Sequence, residues 1–302
     1  MLENSSINLS NHQRPSYAGI WVPIVTPFAD DAARSVDYGA LYTLVARYRA
    51  LGVAGFVPCS STGEAIALSE QEQADVLDTV RAAAGGLPVM MGLPGSILAP
   101  VRERMLRLAE HRPTAFLVSA PSYIRPSQDG IIEYFTALAD ASPVPVLLYD
   151  IPYRTGANID TETLLALAAH PNIHGIKDCG GDTDKTQRVI ADGRLQVLAG
   201  EDAQVFGTLC AGGVGAIIAA AHVRTELFVE MARAVREQRL NDARRLHHAL
   251  APVIRLLFAE TNPGPLKAWL AAEGLIRNVL RAPMMMASEG VGRELVGVVG
   301  RV

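Results

Sequence analysis

From Tyr17 onward the chain alternates short, β-branched apolar runs with amphipathic stretches of helical period, and it does so eight times. The strand-like runs are residues 21–25, 55–58, 89–92, 115–119, 144–149, 174–177, 196–199 and 214–219, spaced roughly 20 to 35 residues apart. Eight such units fit a closed parallel barrel, and such barrels run ~250 residues as one unit. Helix signals lie between the runs. Ser69-Glu-Gln-Glu72 reads as a capping box, and Ser127 caps a helix beginning near Gly130. A doubly wound open sheet would usually place a glycine-rich fingerprint after the first strand, where this chain has Pro27-Phe28-Ala29-Asp30. The expected fold is therefore an α/β TIM (β/α)8 barrel over residues 18–225. A helical domain follows over 226–302, interrupted by Asn262-Pro263-Gly264-Pro265.

Residues 1–17 are polar, contain no apolar signal-peptide core and read as a flexible tail. The long uncharged run 203–223 carries glycines at 207, 212, 213 and 215, so it reads as helix, glycine turn and buried strand instead of a membrane span. A net charge of -4 offers no basic stripe for nucleic acid and no polybasic segment for a membrane surface, which leaves small molecules as the expected partners. Cys59, Cys179 and Cys210 have no paired spacing and fit reduced thiols in the cytoplasm. The seven histidines form no HxxH or HExxH pair, so no metal is expected. The methionine run 284–286 reads as helix packing.

Of 27 basic residues only Lys177, Lys185 and Lys267 are lysine. Where a bare positive charge suffices this chain uses arginine, so a surviving lysine can mark a need for an amine. Lys185 follows Asp182 and Asp184 at a helix start, and Lys267 sits among helix formers; both read as solvent-facing. Lys177 differs, because residues 173–176 lead into it as a strand bounded by Pro171-Asn172 and Gly180-Gly181. That places an amine at a strand's carboxyl end, the end where barrels of this kind build their sites.

Three other strand ends carry chemistry. Ser60-Ser61-Thr62-Gly63-Glu64, after the second strand, can present hydroxyls and backbone N–H groups to a carboxylate, or can be an ordinary turn. After the fourth strand, Pro121-Ser122-Tyr123-Ile124-Arg125-Pro126 holds a tyrosine between prolines. The fifth strand ends in Tyr149-Asp150-Ile151-Pro152-Tyr153-Arg154, where Tyr149 can relay protons or simply pack, and Arg154 can hold an acid group bidentately. A buried Lys177 would lose basicity by desolvation and could attack a carbonyl carbon, which arginine cannot do. Amine, phenol, carboxylate cradle and arginine together suit a Schiff base with a 2-oxo acid, with protons carried by Tyr149 through Thr62 and Tyr123 and with no cofactor.

These motifs resemble the dihydrodipicolinate synthase / N-acetylneuraminate lyase family of class I, Schiff-base-forming aldolases. The resemblance runs from about Gly19 to at least Leu275 and rests on VPIVTPF, STGEAIALSEQE, YDIPYRTG, GIKD and NPGPLKAWL. It implies a lyase that joins pyruvate, or another 2-oxo acid, to an aldehyde such as aspartate semialdehyde, and a homotetramer assembled as a dimer of dimers. It also implies site roles: Lys177 for the imine, Tyr149 as shuttle, Ser61 and Thr62 for the pyruvate carboxylate and the relay, and Tyr123 completing that relay across a subunit boundary. Arg154 would bind the acceptor's acid group, and Gly200 and Ile217 would line the pocket.

Departures from the family pattern leave the acceptor open. Ser60 stands where glycine is usual, Ser61-Thr62 follows the lyases, and Ala219-Ala220-Ala221-His222 replaces a T/S-A-N run. Ser122 and residues 92–96 stand where lysine-regulated synthases carry an aromatic residue and an Asn-bearing loop. Other readings are a catabolic aldolase or dehydratase of the sugar-acid or N-acetylneuraminate type, a phosphate-binding turn at Gly212-Gly213-Val214-Gly215, and a non-catalytic 2-oxo-acid-binding paralogue.

Overall fold

A computed structural model describes residues 15–302. Eight strands, β1 (Gly19–Val22), β2 (Gly55–Phe56), β3 (Met90–Leu93), β4 (Ala115–Ser119), β5 (Val146–Asp150), β6 (Ile173–Asp178), β7 (Gln196–Ala199) and β8 (Gly215–Ile217), form one parallel sheet in the order 2-1-8-7-6-5-4-3. A parallel bridge between Phe56 and Val89 joins its two edges, so the ring closes as a (β/α)8 barrel. Among the described residues nine α-helices belong to this part of the chain: α1 (Tyr38–Ala50), α2 (Glu70–Ala84), α3 (Leu98–Ala109), α4 (Gln128–Ala141), α5 (Pro152–Thr155), α6 (Thr161–Leu167), α7 (Thr183–Asp192), α8 (Val205–Cys210) and α9 (Thr225–Arg236). Three more, α10 (Leu240–Leu257), α11 (Gly264–Ala272) and α12 (Glu289–Val299), complete the chain.

Local chemistry sets the helix starts as expected. The Ser69 hydroxyl accepts from the Glu72 amide while the Glu72 carboxylate accepts from the Ser69 amide, so both ends of the box are satisfied. Ser127 accepts from Gly130 N in the same way, although α4 begins two residues before that glycine. The run 203–223 resolves into α8, a turn at Gly212-Gly213 and β8. Among the described residues no helix is long and apolar enough to cross a membrane. Strand bounds differ from expectation by up to three residues, most at β1. There Val25 N donates to the His222 imidazole instead of to a neighbouring strand.

The core has two parts, because a closed strand alternates its side chains between the lumen and the surrounding helices. Trp21, Met90, Leu117, Leu147 and Leu198 fill the lumen. The larger cluster, including Phe28, Val76, Phe116 and Phe135, lies between strands and helices. A Cβ on Gly55 would fall 2.4 Å from the Trp21 ring, so glycine there is what admits the lumen's largest side chain. The floor is made by residues expected to be flexible tail: Tyr17 is 1% exposed, its amide donates to Gln196 Oε1, and Gln196 Nε2 donates to Pro15 O. Burial of the Tyr17 ring against Trp21 overrides the polarity of its neighbours. Residues 1–14, which hold the rest of the expected tail, lie outside the described residues.

Helix α9, at the start of the helical domain expected over 226–302, packs on β1 and α8 as well as on α10. A further expectation changes. The 284–286 methionine run belongs to no helix, and Met285 and Met286 are exposed.

Lys185 and Lys267, read from sequence as solvent-facing, are buried at 2% and 0% exposure. Lys267 Nζ meets Glu64 at 2.5 Å, and Lys185 Nζ meets Asp150 at 2.5 Å with Asn158 and Ile159 O as further acceptors. Neither carboxylate partner is near its lysine in sequence, so no local pattern marked them. Removing one member of such a pair strands a charge in a low-dielectric site, at about 3–5 kcal/mol. Lys185→Met should therefore lose roughly that much stability to urea, whereas the double variant Asp150→Asn/Lys185→Met should recover more than half of it. Equal losses in the two would show that the pair is not what Lys185 contributes.

Candidate active site

The loops that follow the strands gather at one end of the barrel, and β5 and β6 pair there with Tyr149 opposite Lys177 and Asp150 opposite Asp178. Parallel register alone thus sets phenol beside amine. Lys177 Nζ lies over the Tyr149 ring, 4.1 Å from its centroid. Among the described residues no carboxylate lies within ion-pair reach of Lys177, in contrast to Lys185 and Lys267. Burial, with nothing to compensate it fully, pulls the Lys177 amine below its ordinary basicity; Cys179, Asp202 and Glu201 oppose that pull. The same burial pushes the Tyr149 phenol well above its usual range, so the phenol keeps its proton while the amine gives one up more readily. That is the distribution a nucleophile and an adjacent acid require.

The turn after β2 supplies hydroxyls. Ser61 Oγ is 3.3 Å from Tyr149 Oη, so of the two hydroxyls that the resemblance assigns to the carboxylate and the relay, Ser61 is the one hydrogen-bonded to the phenol. Thr62, one residue on, lines the same pocket and accepts a hydrogen bond from Asn262 Nδ2 at 3.0 Å. The turn is held by a left-handed Glu64 (φ 53°) whose carboxylate also accepts from the Arg281 amide. Gly200 and Ile217 lie where expected. A Cβ at position 200 would stand 2.9 Å from Lys177 Cγ and 2.3 Å from Cys179 Sγ, so glycine is what lets the lysine stem pass. Ile217 is fully buried in the lumen wall. Arg154, on α5, borders the same pocket, and its guanidinium donates to Asn262 O at 3.4 Å.

Six of the seven other residues expected beside Lys177 therefore line one pocket with it. Tyr123 does not. It is 93% exposed, with φ at 73°, and its amide donates to Thr155 O, so the fold of one chain leaves its ring outside. Residues not singled out as site residues from sequence also line the pocket, Glu201, Asp202 and Asn262 among them, and Cys179 packs beside Gly200. Asp202 is buried and pushed up to about 7 by desolvation, although it accepts from the Ala220 amide at 2.5 Å. Strand position could have flagged Cys179, two residues beyond Lys177, and Glu201-Asp202 just past β7; the motif NPGPLKAWL begins at Asn262 but does not say that its side chain reaches the turn after β2. A wider cavity of about 880 Å³ opens from Ser61, Tyr149 and Arg154 towards the loop after β3 and towards Met284.

A family model for the dihydrodipicolinate synthetase family matches residues 16–300. The chain belongs to that family. It is 38% identical over 273 residues to the 4-hydroxy-tetrahydrodipicolinate synthase of Methanosphaerula palustris, a match covering 89% of this chain and 93% of that one. Its fold superposes on the crystal structure of dihydrodipicolinate synthase from Thermotoga maritima with a TM-score of 0.91 at 29% identity, covering 95% and 99% of the two chains. It likewise matches the chloride-inhibited dihydrodipicolinate synthase of Acinetobacter baumannii complexed with pyruvate, with a TM-score of 0.90 at 29% identity over 94% and 99%. Among the described residues no cluster of histidine, cysteine and carboxylate side chains suits a metal ion in this family member.

Gly200→Ala tests the packing around the amine. The added methyl cannot fit without moving Lys177 or Cys179, so kcat should fall by about 10²-fold, as for small misplacements of a reacting group, with Tm lowered only a few degrees. Near-normal kcat would mean that the lysine stem has room to spare.

Proposed function

We propose that this protein is a class I aldolase that joins pyruvate to an acid-bearing aldehyde through an imine on Lys177, with 4-hydroxy-tetrahydrodipicolinate synthesis from aspartate semialdehyde as its reaction. The observation that carries this reading is that Lys177 is a buried amine with no carboxylate partner among the described residues, lying against a protonated phenol. The neutral amine attacks C2 of pyruvate, Tyr149 gives a proton to the former carbonyl oxygen, and water leaves. The protonated imine then draws electrons from C3, which loses a proton and becomes an enamine. Tyr149, left as the phenolate, takes that proton and returns it to the alkoxide formed when the enamine carbon attacks the aldehyde carbon; the acceptor's amino group then displaces Lys177 at C2 as the ring closes, and the freed lysine ammonium returns a proton to Tyr149. Ser61, 3.3 Å from Tyr149, is the relay's first member in this reading, and Thr62 binds the pyruvate carboxylate. Arg154 receives the acceptor's acid group by its planar fork of donors.

The exposed Tyr123 ring and its neighbour Ile124, 57% exposed, fit a second copy better than solvent. We assign them to a subunit boundary within a homotetramer in the cytoplasm, where Tyr123 would complete the partner's relay. Relatives named as synthases support the synthetic reading over a catabolic one.

Borohydride with pyruvate should attach a three-carbon adduct to the peptide holding Gly175-Ile176-Lys177 and to neither of the other lysines. Tyr149→Phe should lose about 10² to 10⁴-fold in kcat with little change in pyruvate affinity. Labelling elsewhere, or none in active protein, would refute the imine assignment.

Acceptor choice is tested by Arg154→Lys, which keeps charge and loses the fork. Turnover with aspartate semialdehyde should drop at least tenfold more than with neutral aldehydes, by the two-bond geometry lost. Millimolar free lysine should leave both rates unchanged, given Ser122 and its hydrogen bond to Ser96 where regulated relatives carry other groups. A wild-type preference for neutral aldehydes would make Arg154 structural.

A further inference from the structure

The segment between α10 and α11 lines the pocket with Phe258 and Asn262, and it and the start of α11 are each fastened to the turn after β2 at one point. Lys267 pairs with Glu64, and five residues earlier Asn262 Nδ2 donates to Thr62 Oγ1 at 3.0 Å. The first link is a deeply buried ion pair that fixes where the segment lies. The second is made by a side chain 8% exposed, at a residue whose backbone carbonyl accepts from Arg154. One residue of the appended helical unit thus touches both the carboxylate cradle and the acceptor's arginine.

We infer that Asn262 is a positioning residue for pyruvate, acting by fixing the direction of the Thr62 hydroxyl. An amide NH₂ can donate and cannot accept, so Thr62 Oγ1 must receive this bond on a lone pair. Its own O–H is then free, and among the described residues it has no acceptor. A buried hydroxyl with its lone pair engaged and its proton unclaimed is a donor held ready for an anion. A 2-oxo-acid carboxylate arriving beside Lys177 supplies the missing acceptor. The contact to Arg154 uses the backbone carbonyl and survives any change of side chain, so the two halves of the site can be told apart.

This inference rests on the imine reading above, and the experiment separates the two. Pyruvate-dependent borohydride inactivation and steady-state KM values are measured for wild type, Asn262→Ala and Asn262→Asp, with Tm for each. Asn262→Ala should raise the pyruvate concentration for half-maximal trapping about tenfold, and leave KM for the aldehyde within twofold. Asn262→Asp is isosteric but accepts where the amide donated, so it should turn the Thr62 proton away from pyruvate and raise that concentration 10²-fold or more, as expected for an anion facing an anion. In a Thr62→Val background, Asn262→Ala should have no further effect on pyruvate. Equal rises in both KM values, or wild-type pyruvate affinity in Asn262→Asp, would overturn the assignment; the latter would place the amide oxygen against Thr62. Failure of wild type to be trapped at all would instead refute the imine reading.

Discussion

The buried ion pair between Glu64 and Lys267 is the contact on which the arrangement of the site depends. Both groups are almost without solvent, so each is tolerable only because the other is 2.5 Å away. Burial pulls the Lys267 ammonium down to about 8, while Glu64 works to hold its proton on. Lys267 Nζ also donates to Val279 O and lies over the Phe28 ring, and Arg281 stacks on the same ring while pairing with Glu72. The turn carrying Ser61 and Thr62 is thereby clamped between barrel and appended helices. A small helical addition to a barrel becomes a wall of its active site.

A second consequence concerns how the three lysines divide their work. Burying an ammonium is expensive, and the chain meets that expense with a carboxylate at Lys185 and at Lys267. At Lys177 it does not. There the charge is left to the face of an aromatic ring and to more distant acids, which is weaker compensation. The uncompensated site is the one where neutral amine is useful. Lys185 supports it from behind: its pair with Asp150 bridges the end of β5 to α7, the helix that follows β6. The end of the strand carrying Tyr149 is thus tied to the helix that follows the strand carrying Lys177.

Much of this was legible in the chain because the relevant physics is local. Alternating apolar runs report which face of a strand is buried, and eight of them report a barrel; capping residues report helix starts within a residue or two. Lysine scarcity singled out Lys177, and its strand-end position gave it a plausible site. At Lys185 and Lys267 helical surroundings misled, because they suggested solvent. The ion pairs that bury them reach 35 residues back to Asp150 and across most of the chain to Glu64. Tyr17 misled for the same reason, since its partner Gln196 is 179 residues away.

The sequence by itself determined the repeating unit, the candidate types of site residue and their places at strand ends, since each depends on periodicity or on neighbours a few positions apart. Tertiary structure decided which hydroxyl faces the phenol, Ser61 and not Thr62, because that follows from a turn whose path is set by a left-handed Glu64 and its distant lysine. It decided that Asn262 belongs to the site and that Tyr17 belongs to the floor. It also decided that two of three lysines are silent: an amine's reactivity is set by the charge nearest to it in space, and that charge is supplied by residues the local sequence does not name.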